Sequence, residues 1–108
     1  MKLDPSLEPE WDEFNMMHID RHGITPEQVE EVYYGEGPYP SLVVQVNRRL
    51  PPHRPELRLL IWGTDSKENF LEVVVAPRPE RRVWRCVTAV PMRSDKRRSY
   101  IKRVRKRR

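Results

Sequence analysis

Arginines recur through the second half of the chain at Arg58, Arg78, Arg85, Arg93 and Arg97, with Lys96 and Tyr100 nearby. Arginine does not act as a base at ordinary pH, but its planar fork holds a phosphate and stabilises charge that grows on it. RNA supplies its own nucleophile in the 2′-hydroxyl. A protein that cleaves RNA therefore needs only to position the strand, stabilise the reacting phosphate and move protons. His22, Lys96 and Tyr100 are the groups here that can carry protons, which makes cleavage without a metal or other cofactor feasible. The same residues fit passive RNA binding equally well.

The distribution of charge points to the same partner. Residues 1–80 carry 8 Lys and Arg against 15 Asp and Glu, whereas residues 81–108 carry 13 against Asp95 alone, which together give the net +5. A field this concentrated suits a polyanion, and Arg97, Arg98, Lys102 and Arg103 join Arg78 as candidate RNA contacts. The bland alternative is that residues 102–108 form a solvated basic tail.

Other reactive side chains carry weaker signals. His18 and His22 are four residues apart on an expected helix, a metal-binding spacing, but a further ligand would have to come from Cys86 or His53 and no Cys-x-x-Cys or His-Glu-x-x-His is present. No metal site is expected. His22 can equally serve the helix end beside Gly23. Cys86, the single cysteine, reads as a small core hydrophobe. Tyr33, Tyr34 and Tyr39 can stack on bases, although tyrosines at a helix end more often pack. No run approaches the roughly 18 apolar residues of a membrane span, and no secretory signal is legible, so a cytoplasmic location is expected.

These residues must be positioned by a small α+β domain. At 108 residues and 13.0 kDa the chain is the size of one domain. Residues 1–10, with Pro5 and Pro9, read as an extended lead-in or at most a short edge strand. Trp11 to Arg21 reads as a helix with Trp11, Phe14, Met17 and Ile19 as its apolar positions. Thr25-Pro26-Glu27-Gln28 signals a second helix through an N-cap, a proline at the first position and a capping-box Gln. Four strands follow at Leu42 to Asn47, Leu57 to Trp62, Phe70 to Ala76 and Val83 to Ala89. Phe70 to Ala76 is apolar on both faces except at Glu72, which marks a central strand. Ser94 to Arg105 reads as a terminal helix with Tyr100, Ile101 and Val104 as its stripe. The expected architecture is two N-terminal helices, a four-stranded mainly antiparallel sheet and a C-terminal helix, in one domain over residues 11–101.

Across residues 11–100 the chain resembles the BrnT-type toxins of bacterial type II toxin–antitoxin modules. The resemblance rests on Trp11-Asp12, Arg21-His22-Gly23-Ile24, the helix Glu27 to Tyr34, Arg58 through Gly63, Phe70 to Ala76, Val87-Thr88-Ala89, Met92 and Tyr100. It implies a RelE-like ribonuclease fold, metal-independent RNA cleavage that inhibits translation, and neutralisation by an antitoxin protein carrying a DNA-binding segment, in a hetero-oligomer. His22, Arg58, Arg85 and Tyr100 match the family's site positions. Val90 stands where the family carries an arginine, with Arg93 three residues along as its replacement, and Lys96 stands where it carries a glutamate. These departures fit the alternative of a catalytically silent RelE-like module that binds RNA or a protein partner.

Overall fold

The computed structural model describes residues 3–49 and 56–106. Its elements run β1 (Glu8–Glu10), α1 (Glu13–Asp20), α2 (Pro26–Tyr33), β2 (Leu42–Arg49), β3 (Glu56–Thr64), β4 (Phe70–Arg78), β5 (Val83–Pro91) and α3 (Ser94–Lys106). A short 3-10 turn at Pro79–Arg81 joins β4 to β5. The class is α+β. The sheet has five strands rather than the expected four, in the order β1-β5-β4-β3-β2. The additional strand comes from the lead-in, where Glu8–Glu10 pairs in parallel with Val83 to Arg85; all other neighbours are antiparallel. This segment is tied down because the Tyr33 hydroxyl donates to the Asp4 carbonyl and the Tyr34 hydroxyl to that of Leu7.

Alternation along the strands builds two cores. Leu59 and Ile61 of β3, Leu71, Val73 and Val75 of β4, and Trp84, Cys86 and Ala89 of β5 face α1 and α2. The step from Cys86 to Ala89 breaks strict alternation because a bulge at Val87 sets Val75 opposite Cys86 but Val74 opposite Thr88. Trp62 and Phe70 point to the other face, where Leu42, Met92, Tyr100 and Val104 bury under α3. Residues 102–106 continue that helix, as the reading of Ser94 to Arg105 expects and the tail description does not, since the stripe reaches Val104.

The helices start as their sequences dictate. Asp12 caps α1 and Thr25 caps α2, each in a capping box closed by Asn15 or Gln28. Gly23, at φ +73°, makes the left-handed turn between them. A Cβ at Gly63 would meet Ser41 Oγ at 2.5 Å and Val32 Cγ1 at 2.9 Å, so this glycine lets α2 lie close on β3.

The apolar face expected for α1 is corrected. Ile19 and Asn15 are its buried residues, while Phe14 and Met17 are 86% and 63% exposed. The helix packs chiefly against β5 at the sheet margin beyond β1, so only a narrow stripe meets the core.

Candidate functional site

The α3 side of the sheet is only partly covered. Towards the opposite end of the strands it opens into a groove of about 550 Å³ between the strands and α1. Arg58, Arg78 and Arg85 reach this groove from β3, β4 and β5. The register explains their convergence. Arg85 pairs with Ala76 on β4, and Arg58 lies one step beyond the Leu59–Val75 pair on the other side of the same strand. The small side chain of Ala76 therefore forms the floor between two guanidinium groups, with Arg78 two residues further along.

The opposite wall is α1. Phe14, Met17, His18 and Arg21 share one helix face at helical spacing and line the groove. His18 Nε2 lies 3.0 Å from Thr88 Oγ1, which fixes the ring beside the bulge of β5. Four arginines thus face one carboxylate, Glu56, within the lining.

The charges are held by named partners. Arg85 Nη1 donates to Glu10 Oε1 at 3.0 Å and Nη2 to Asp12 Oδ2 at 2.8 Å. The bond to Glu10, reinforced by that to Asp12, keeps this guanidinium charged still more firmly than usual. The Asn15 backbone amide and Arg85 in turn hold Asp12 below the ordinary carboxylate range. Arg81 also pairs with Glu10. Glu56 lies 3.2 Å from Arg58 and 3.8 Å from Arg78. The Nε–H of Arg58 is buried and has no acceptor among the described residues.

The remaining candidates lie elsewhere. Tyr100 is fully buried on the inner face of α3, with its hydroxyl donating to the Pro40 carbonyl at 2.6 Å, and burial pushes its pKa up to about 12. It belongs to the core rather than to an open site. Lys96 Nζ pairs with Glu72 at 3.0 Å, and Glu72 also accepts from Trp62 Nε1. Arg93 is exposed and pairs with Asp95. His22 is exposed just past α1, its ring edge-on to that of His18 with centroids 6.0 Å apart, and does not line the groove. Arg97 stacks on Phe70 and Arg103 on Trp62, while Arg98 and Lys102 lie on the outer face of α3 with Ile101 and Arg105.

His18, Arg21, Phe14 and Glu56 were not assigned to the site from sequence. The signal available for the α1 residues was their shared spacing. Among the described residues no three His, Cys, Asp or Glu side chains converge as a metal site requires, and His53 lies outside the described residues. Burial pushes the Cys86 thiol up to about 12, so it is no nucleophile. Tyr33 stacks on Trp84 at 4.2 Å, and the Tyr34 hydroxyl accepts from Trp84 Nε1. Those two rings are packing groups.

Comparison with protein-family models, curated proteins and solved structures found no match to this chain. Among the described residues no helix is long and apolar enough to cross a membrane.

Proposed function

We propose that the chain is a metal-independent endoribonuclease, the toxin component of a type II toxin–antitoxin module of RelE-like fold, acting on RNA in the cytoplasm. The observation that carries this reading is the convergence of Arg58, Arg78 and Arg85 from three adjacent strands on an open groove walled by His18. The forks of Arg58 and Arg78 hold the scissile phosphate and stabilise its developing charge. His18, the groove's imidazole, exchanges a proton with the 2′-hydroxyl or the leaving 5′-oxygen, and Thr88 orients its ring. Attack by the 2′-oxygen expels the 5′-oxygen and leaves a 2′,3′-cyclic phosphate. The family resemblance supports an acidic antitoxin partner that would cover this basic face.

A second reading, the silent binding module, draws on the engagement of both terminal Arg85 nitrogens by Glu10 and Asp12. Controlled expression in a bacterial host separates the two. Wild type should arrest growth, and His18→Asn or Arg58→Gln should relieve the arrest at equal protein level. Growth unaffected by wild type would favour the silent module.

A further inference from the structure

α1 leaves Phe14 86% exposed and Met17 63% exposed, and both lie on the lip of the arginine groove. Neither is needed to hold the helix. Its packing is supplied by Ile19 and Asn15, and its first turn by the Asp12 cap. Phe14 lies one turn before His18 and two before Arg21, so ring, imidazole and guanidinium form a row along one wall. Arg58, Arg78 and Arg85 form the facing charged surface.

A flat apolar ring beside a row of guanidinium groups matches a ligand in which each negative charge comes with a flat aromatic unit. Single-stranded RNA has that composition. Its phosphates follow the charged track, and its unpaired bases offer faces for stacking that a duplex hides. We propose that Phe14 is the stacking platform for one base of a single-stranded RNA lying in the groove, flanked by Met17. This rests on the reading of the groove as an RNA site and adds how it distinguishes single strands from duplex. The complementary charge of the lining, four arginines against Glu56, argues for this occupant over a neutral apolar one.

The test uses a fluorescently labelled 2′-O-methyl oligoribonucleotide of about eight nucleotides, which cannot be cleaved through the 2′-oxygen and spans a typical single-strand site. Binding by the full chain is followed by anisotropy across a salt series, for wild type, Phe14→Ala and Phe14→Trp, with an abasic oligomer of the same length as control. Phe14→Ala should bind about 5- to 150-fold more weakly. Its salt slope should be unchanged, because the phosphate contacts remain. Phe14→Trp should bind at least as tightly as wild type, and the abasic oligomer should not distinguish Phe14 from Ala. Wild-type binding with Phe14→Ala within about twofold would overturn the stacking role alone and favour an acidic polypeptide on this lip. No salt-sensitive binding by wild type would overturn both this role and the RNA reading of the groove.

Discussion

Asp65 is the side chain whose replacement should most damage the fold without touching the groove. It begins the loop between β3 and β4, is only 1% exposed, and accepts four hydrogen bonds. Oδ1 takes the backbone amides of Lys67 at 3.0 Å and Asn69 at 2.8 Å, and Oδ2 takes Gln28 Nε2 at 2.9 Å and Asn69 Nδ2 at 2.8 Å. Gln28 also closes the capping box of α2, so this carboxylate ties the hairpin to the start of that helix. In Asp65→Asn, either orientation of the amide turns an NH2 towards two donors. Two charge-assisted bonds are then lost, at about 1.5–3 kcal/mol each, partly offset because no charge is buried. The net loss should be about 3 kcal/mol, or a fall in Tm of about 10–20 °C. Burial works to raise the carboxyl's pKa, but the bonds from Gln28, Asn69 and Lys67 outweigh it and hold the group below its ordinary 3.8. A lowered folded-state value means the stabilisation is complete above 3.8 and is lost as pH falls through the folded value. Urea unfolding followed by tryptophan fluorescence should therefore show a constant gap between wild type and Asp65→Asn near neutrality that narrows in acid. A variant within about 0.5 kcal/mol of wild type, with the same acid limb, would refute the reasoning.

Tyr100→Phe should cost about 1 kcal/mol in urea unfolding and leave RNA binding and cleavage unchanged, since its hydroxyl serves the Pro40 carbonyl. Its pKa, raised by burial from 10.0 to about 12, gives stability that is complete below 10.0 and lost as pH rises through about 12, a decline the Phe variant should lack. Glu56→Gln releases Arg58 and Arg78 from their shared carboxylate, so RNA affinity at low salt should rise a few-fold, on the order of the worth of a partly exposed ion pair. Replacing Arg98, Lys102 and Arg105 by Gln should flatten the salt dependence of RNA binding by a slope of about 2 if α3 also tracks the strand, and not at all if its outer face is merely solvated. Removing residues 102–108 would confuse that test, because Val104 is buried in the core under α3.

Local signals carried much of the fold. Thr25, Pro26 and Gln28 marked the start of α2 as they stand in the structure, and the two-sided apolar run of Phe70 to Ala76 marked β4, the middle strand of five. The parallel β1 was legible only as a permitted short edge strand, because Glu8–Glu10 becomes a strand only through the distant Val83 to Arg85. Long-range placement also governed the site. Arg58, Arg78 and Arg85 were legible only within a larger set that included Arg93 and Arg97, and it is the strand register that separates the three lining the groove from those two. The orientation of α1 was not, since Phe14 and Met17 look like core positions until the helix is seen at the sheet margin. Lys96 and Tyr100 have side chains suited to proton transfer, but the packing of α3 commits them to Glu72 and Pro40.

The central claim is that the arginine groove cleaves RNA through the 2′-hydroxyl without metal. Its most direct test is incubation of 5′-labelled RNA with purified protein in excess EDTA, for wild type and Arg58→Gln matched in circular dichroism, with end-group analysis of the products. The account predicts wild-type cutting that leaves 2′,3′-cyclic phosphate ends and is abolished by the substitution. Intact RNA with wild type, free or on ribosomes, or cutting undiminished in Arg58→Gln, would contradict it.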